Sequence, residues 1–415
     1  MSSSFTSTFY PELADLLRGR SALVLLRYRF STAMSTAAST VLAATLVAPR
    51  RLEVREYPYP SVLEPGAVVL RMRASGICGT DKHTFRGETE QYVGTGYERS
   101  TPFPIIQGHE NVGVVAELGP GGAAAFDGTP LAIGDRLIPA PNRACGRCHM
   151  CARGFPYYLC RNLENYGNSL TSAHAPHLFG GWSEYLYLKP GTAVFRVPDE
   201  LPDEVAVLTE IFAVTHSLER AAVLPRPAGF RPGDGVAVIG AGALGLAHAV
   251  KASLMGAGQV LVLDPSARRR ELAARVAGAV TFAPGDEAAR AVRERCGGEG
   301  ADVVVNATGF PGAFAQSTAM VRDGGTIIEV GAFVDMGDEA FNPAVVCGRN
   351  LTLMGVGGED LRSYEGTLAL LARHHRRVPL HEIVSHRFAI EDAPLAMTTA
   401  LDADASAKVL IVPGP

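Results

Sequence analysis

The 415-residue chain reads as an α/β protein in which a β-rich domain is interrupted by an inserted, doubly wound parallel-sheet domain. Three observations predict this. From about Val41 to Glu200, short apolar or alternating runs are broken by glycine and proline. After Pro202, apolar strand-length runs alternate with helix-period segments, the pattern of a parallel sheet with crossover helices. From about residue 358 the texture returns to mixed helix and strand and ends in "AKVLIV". The predicted divisions are an extension over 1–35, a β-rich domain over 36–202, an α/β domain over 203–356, and a return to the first domain over 357–415.

Taken in order, "VLAATLV", "AVVLRMRASG", "NVGVVAEL", "DRLIPA" and "SEYLYL" are the strands expected in the first domain. "DEVAVLTEIFAVTHSLERAAVL" has helical spacing and leads into the second. "GVAVIGAGALGLAHAVKASLMGA", "QVLVLDPSARRRELAARVAGA", "ADVVVNATG", "GGTIIEVGAF" and "LTLMGVGG" supply its strands and crossovers. The 45 glycines suit many tight strand-to-helix turns.

Composition narrows the function. A hydrophobic share of 47% and a charged share of 19% are ordinary for a soluble globular protein. A net charge of −4 offers no basic surplus for nucleic acid or an anionic membrane. No apolar run reaches the ~18–20 residues that span a bilayer. "SALVLL" near the N-terminus is too short for a signal peptide. An Arg- and Ser-rich leader has an organellar flavour, against which Glu12 and Asp15 count. Residues 1–33 are expected to be a disordered extension, or sequence upstream of a start at Met34. Seven cysteines, four of them in one loop, are not the spread of a secreted disulfide scaffold, so a reducing, cytoplasmic compartment is expected.

"GVAVIGAGALGLAHAV" holds Gly240, Gly242 and Gly245 as G-x-G-x-x-G, after an apolar strand and at the start of a helix. The next strand ends in Asp264, 19 residues beyond Gly245. Together these form a Rossmann dinucleotide fingerprint. The glycines let the backbone approach a pyrophosphate at a helix N-terminus. Asp264 can accept from ribose hydroxyls and would repel a 2′-phosphate, which favours NAD over NADP. Arg268, Arg269 and Arg270 follow; Arg269 is a candidate contact to adenine or phosphate, the alternative being a solvated helix start.

"ASGICGTDKH" sets Cys78, Thr80, Asp81 and His83 just after a strand, and "IIQGHENVGVV" sets His109 and Glu110 before another. A thiolate, an imidazole and a carboxylate make a zinc set with an open position. Glu210 in "LTEIFAVTH" is a further candidate ligand. Singly, each residue has a plainer reading as core or surface. Cys145, Cys148, Cys151 and Cys160 are spaced C-x2-C-x2-C-x8-C. Bacterial iron–sulfur runs place the fourth cysteine three residues on, before proline; here the gap is eight and Arg161 follows. Four thiolates at short spacing suit a closed tetrahedral zinc site with no room for substrate.

Jointly, "GICGTDKH", "GHENVGVVAELG", the four-cysteine loop, "GGWSEYLYL" and "VAVIGAGALG" resemble the zinc-dependent alcohol dehydrogenases of the medium-chain dehydrogenase/reductase superfamily. The resemblance covers about residues 40–415. It is nearest in pattern to the bacterial threonine, sorbitol and polyol-type members, since Glu210 stands where liver-type enzymes have a cysteine. It implies a GroES-like catalytic domain around the Rossmann domain, and two zinc ions per chain. Cys78 and His109 match the catalytic zinc ligands. Glu110 and Glu210 match carboxylates that complete the set, directly or through water. Asp81 matches a carboxylate orienting the histidine. Thr80 and His83 match a proton relay that works through a ribose hydroxyl. The four-cysteine loop matches the structural zinc loop, whose last spacing is usually one residue shorter.

The implied reaction is hydride transfer between an alcohol, a secondary alcohol or polyol, and NAD, giving the ketone or aldehyde. Cyclitol, threonine-type and terpenoid alcohols stay open as substrates. The resemblance also implies a homodimer or homotetramer, joined through the edge of the nucleotide-domain sheet. A zinc-free quinone reductase would lack both cysteine sets, and a catalytically silent relative would lack a ligand or relay residue. Two departures stand out. His83 and His109 lie 26 positions apart, more than is common, and the extra piece carries Tyr92, Tyr97, Glu98 and Arg99. It is expected near the substrate mouth, either selecting a polar or bulky alcohol or serving as a surface loop. His174 and His177 add two histidines, expected to be exposed loop residues.

Overall fold

A computed structural model describes residues 40–61 and 63–413. The expectations for residues 1–33 and 1–35 lie outside the described residues.

The β-rich part centres on a seven-stranded sheet. Its order is Val194–Arg196, Arg136–Pro139, Asn111–Leu118, Val68–Gly76, Lys408–Ile411 and Val384–Phe388, with Tyr185–Leu188 also pairing to Val68–Gly76. The strand runs anticipated from alternation all form here or in the neighbouring sheet of Thr40–Ala48, Arg51–Pro58 and Ile105–Ile106.

The second sheet is parallel throughout and runs Val280–Phe282, Gln259–Leu263, Gly235–Ile239, Ala301–Asn306, Val321–Glu329 and Thr352–Gly355. That order is 3-2-1-4-5-6, the dinucleotide-binding arrangement. Every residue of Gly235–Ile239 is buried, as a strand covered by helices on both faces requires. The order reverses between Gly235–Ile239 and Ala301–Asn306, so a crevice opens beyond their C-terminal ends.

The segment 203–224 is helical as anticipated but divided into Asp203–Ala206, Thr209–Val214 and His216–Ala222. The Thr209 and Thr215 hydroxyls donate back to the carbonyls of Ala206 and Phe212, both at 2.6 Å. Such back-bonding competes with the helix ladder at the two junctions. All six residues of Thr209–Val214 are buried, which fixes Glu210 deep in the fold.

The C-terminal return has one consequence for the site. Lys408–Ile411 pairs antiparallel with the end of Val68–Gly76, Leu410 opposite Gly76 and Ile411 opposite Ser75. Lys408 is thereby set beside the residues just before Cys78. Among the described residues, no helix is long and apolar enough to cross a membrane.

Candidate active site

Cys78 is the N-cap of the helix Gly79–Arg86. Asp81 closes a capping box there, its Oδ2 accepting from the Cys78 amide at 2.8 Å. His109 and Glu110 arrive from the turn that feeds Asn111–Leu118. Ligand atoms of Cys78, His109 and Glu110 lie within 4.8 Å of one another. Gly76 is required beside them, because a Cβ at that position would overlap Glu110 Oε2.

Two features fit this cluster to a cation. The His109 Nδ1 is buried with no hydrogen-bond partner; its nearest carboxylate oxygen, Asp81 Oδ1, is 3.6 Å away, too far for a hydrogen bond. Burial opposes a charged His109 imidazole, yet Asp81 and Cys78 outweigh it and raise its pKa well above the ordinary value. A thiol, an imidazole and a carboxylate converging in one place are a donor set suited to a cation such as zinc.

Glu210 is not among the three clustered residues, although it lines the same cavity. Burial pushes its carboxyl up to about 7, with His109 pulling the other way. Glu110 is held by a residue that sequence reasoning missed. Both of its carboxylate oxygens accept from Lys408 Nζ at 2.6 Å, and the same ammonium donates to the Ile77 carbonyl at 3.1 Å. Burial alone would lower the Lys408 pKa; Glu110, with Cys78 and Glu210 beside it, more than offsets this and raises it. The only hint in the sequence is a lysine opening an otherwise apolar strand.

Thr80 and His83 lie on the first helix and line the cavity. His83 Nδ1 meets Glu88 Oε2 at 2.5 Å. Its Nε2 faces Gly309, where an added Cβ would come within 3.6 Å.

Of the dinucleotide fingerprint, Gly242 lines the cavity, with Ala243 and Leu244 after it; Gly240, Gly245 and Asp264 are not among the lining residues. Gly240 has φ +95°, and a Cβ on Gly245 would overlap the Gly240 carbonyl oxygen, so this turn admits only glycines at both positions. Gly242 caps the 12-residue helix Ala243–Leu254 and lines the cavity. Asp264 is buried, its Oδ2 accepting from the Ala241 amide at 2.7 Å and its Oδ1 from Ser266 at 2.9 Å. A carboxylate has about four acceptor sites, so capacity for ribose hydroxyls remains. The three arginines are not merely solvated: Arg268 and Arg269 donate to backbone carbonyls of residues 404–406, and Arg270 to those of Asp264 and Pro265. Arg269 still lines the cavity, near the half-buried Lys82, which burial and then the charges of Lys408 and Arg269 push down to about 8.

The four cysteines also converge, with all their sulfurs within 4.8 Å. Cys148 Sγ is 3.5 Å from Cys151 Sγ and 3.9 Å from Cys160 Sγ. Zinc–sulfur bonds of about 2.3 Å place the sulfurs of a tetrahedron about 3.8 Å apart, whereas a disulfide needs about 2.05 Å. Backbone amides of Cys151 and Arg161 pull the Cys148 thiol down to about 6. The eight-residue spacing is accommodated by a 3-10 turn, Tyr157–Leu159. His174 and His177 join neither metal cluster; the His177 ring rests on Tyr57 and its Nδ1 meets the Ser172 carbonyl at 2.9 Å.

The long piece between His83 and His109 forms a small hairpin, Glu90–Gln91 with Arg99–Ser100. Tyr92 from its tip lines the cavity and packs edge-on against Phe333, while Arg99 lies over the Tyr92 ring. Glu98 points away, accepting from the Gly96 amide at 3.0 Å in an exposed turn. Two further cavity residues went unrecognised in the sequence: Glu359, fully buried, and its partner Asn142.

Comparison with known proteins gives the chain a family. The alcohol dehydrogenase GroES-like domain family matches residues 64–199, and the zinc-binding dehydrogenase family matches residues 243–373. A probable alcohol dehydrogenase of Mycobacterium tuberculosis is 37% identical over 342 residues, 80% of this chain and 87% of its own length. The 5-exo-hydroxycamphor dehydrogenase of Pseudomonas putida is 30% identical, covering 86% of this chain and 94% of that protein. The crystal structure of an alcohol dehydrogenase from Thermotoga maritima superimposes with a TM-score of 0.80 at 26% identity, covering 90% of this chain and 100% of that one. This chain belongs to the zinc-dependent alcohol dehydrogenase family of the medium-chain dehydrogenase/reductase superfamily, oxidoreductases acting on CH–OH donors with a nicotinamide cofactor.

Proposed function

We propose that the protein oxidises a secondary alcohol or polyol to the ketone or aldehyde with NAD, using a catalytic zinc held by Cys78 and His109 with Glu110 or Glu210. The observation that carries this reading is the opening of one cavity onto Cys78, His109 and Glu110 on one side and the Gly242 helix N-terminus on the other. When bound, zinc supplies Lewis acidity toward the substrate hydroxyl and the nicotinamide accepts the hydride.

The chain's own residues do the rest. The helix N-terminus at Gly242 and the cations Lys82 and Arg269 favour an anionic cofactor. Asp264 receives ribose hydroxyls, and its charge selects NAD over NADP. Asp81 ties the amide of Cys78 and lies on the Nδ1 side of His109, so it fixes the ligand pair. Thr80 accepts the substrate proton and passes it outward through a ribose hydroxyl of the cofactor. His83 takes it at the rim and hands it from Nδ1 toward Glu88.

The four-cysteine loop holds a second, structural zinc. Cys148→Ser is expected to lower zinc content by one equivalent per chain and to reduce thermal stability, since structural zinc binding is folding free energy. Zinc content and melting curves unchanged from wild type would remove that role. Free cysteines throughout the described chain fit a cytoplasmic protein. The edge strand Thr352–Gly355, with Leu353 exposed, is the surface for a homodimer or homotetramer.

The test is reduction of NAD and of NADP by a panel of simple alcohols, polyols, threonine, cyclitols and terpenoid alcohols, before and after a chelator. Turnover with NAD that is lost on zinc removal is the expected result. Failure of every alcohol, or activity that survives complete zinc removal, would overturn the reading. A terpenoid alcohol is the second candidate, favoured by the similarity to the hydroxycamphor enzyme.

A further inference from the structure

One wall of the catalytic cavity carries two buried side-chain acceptors that have nothing to accept from. Asn142, Asn165, Asn168 and Glu359 all line the cavity that holds Cys78 and His109. They are 8%, 5%, 6% and 2% exposed. Glu359 accepts from Asn142 Nδ2 at 2.9 Å and from the Tyr157 hydroxyl. Asn142 Oδ1 in turn accepts from Asn165 Nδ2. At the end of this chain Asn165 Oδ1 is buried without a partner, and so is Asn168 Oδ1.

The direction of the chain follows from the carboxylate. Above about pH 7, where Glu359 is the carboxylate, it can only accept, so Asn142 turns its NH2 toward Glu359 and its carbonyl toward Asn165. Asn165 must then offer its own NH2 to Asn142, which leaves its carbonyl as the free end. The amide orientations are therefore dictated by Glu359 rather than arbitrary. An unsatisfied buried acceptor costs free energy comparable to a lost hydrogen bond, so such groups are retained where something supplies the donor. Burial pushes the Glu359 carboxyl up to about 7, and the His109 imidazole acts on it from across the cavity. Glu359 thus lies within electrostatic reach of the reacting centre.

We propose that Glu359, Asn142 and Asn165, with Asn168, form a substrate-reading wall that selects an alcohol carrying a second hydrogen-bond donor, a hydroxyl or an ammonium, besides the hydroxyl that is oxidised. This rests on the alcohol dehydrogenase reading above and narrows its substrate class. Glu359 acts as a positioning residue through the two amides. Asn165 and Asn168 make the contact. An alcohol lacking the second donor leaves the two carbonyls unpaired, and sites built to hydrogen-bond a substrate group discriminate strongly against analogues without it.

The test uses zinc-loaded enzyme and three near-isosteric secondary alcohols: propane-1,2-diol, 1-aminopropan-2-ol and butan-2-ol. A longer pair, butane-1,3-diol and pentan-2-ol, covers a donor one carbon further away. In wild type, kcat/KM for a donor-bearing substrate should exceed that of its alkyl counterpart by about 100-fold or more. The diol and the amino alcohol, compared with each other, tell hydroxyl from ammonium. Asn165→Leu, which removes the terminal acceptor, should shrink the donor-to-alkyl ratio at least tenfold. Glu359→Gln should shrink it too, because a glutamine can face the chain with either end. A purely structural role would lower both substrates alike and leave the ratio fixed.

The proposal falls if wild type shows a ratio near one for every pair, or if the ratio survives both substitutions. If one variant fails to fold, as judged by melting and zinc content, the other decides the matter, together with the wild-type ratio. If no alcohol at all reduces the cofactor, it is the alcohol dehydrogenase reading that fails, which is a different outcome from alcohols being oxidised without preference.

Discussion

Cys78→Ala is expected to lower kcat/KM by about 10³-fold or more and to remove one zinc per chain. A metal acting as Lewis acid on the substrate oxygen supplies several kcal/mol, and each ~1.4 kcal/mol is tenfold in rate. Removing Cys78 deletes a ligand atom from a cluster in which only three residues converge within 4.8 Å. The fold should survive, because Cys78 caps a single eight-residue helix and the capping bond to Asp81 comes from its backbone amide. Metal analysis and steady-state kinetics check this, with Cys347→Ala as the comparison, since Cys347 is exposed and outside both metal clusters. If Cys78→Ala kept its zinc and more than a tenth of the activity, the catalytic centre would have to lie elsewhere.

Lys408→Met is expected to destabilise the protein by about 3–5 kcal/mol, the cost of leaving a buried carboxylate without its partner. The Lys408 and Glu110 side chains are 3% and 1% exposed. The measurement uses zinc-free protein, because a zinc held by Glu110 would itself offset the lost ammonium. The same substitution removes a donor to the Ile77 carbonyl, one residue before Cys78. The double variant Lys408→Met/Glu110→Leu should recover much of the loss, because replacing both members of a buried ion pair by apolar groups is often near neutral. Denaturation of the two variants and of Glu110→Leu alone closes the cycle. A cost for Lys408→Met below about 0.5 kcal/mol, the scale of an ordinary surface change, would mean that the pair is solvated in solution.

Much of the fold was legible because its signals are local. The run "GVAVIGAGALG" becomes strand, turn and helix with the glycines where the backbone needs them. The strands from Gly235 to Gly355 take the parallel order that alternation implied. The division of 203–224 into three helices was not legible, since helical spacing says nothing about which threonine hydroxyls turn back on the backbone. The long piece before His109 could be assigned to a neighbourhood but not to a role. The packing of Tyr92 on Phe333 decides that its tip faces the cavity.

The sequence alone determined the residue types that can hold a metal and a dinucleotide, because spacing within one turn or one loop fixes which side chains meet. It was enough for Cys78 with Asp81, for the glycine turn, and for the four cysteines. What only the tertiary structure decided is what surrounds the reacting centre. Lys408 reaches Glu110 across 298 positions of chain, and Glu359 reaches Asn142 across 217. The first exists because the C-terminal strand returns to pair with Val68–Gly76, the second because the loop after Thr352–Gly355 reaches the cavity wall. No local periodicity records that pairing, and burial then turns an ordinary lysine, glutamate and asparagine into groups whose partners matter.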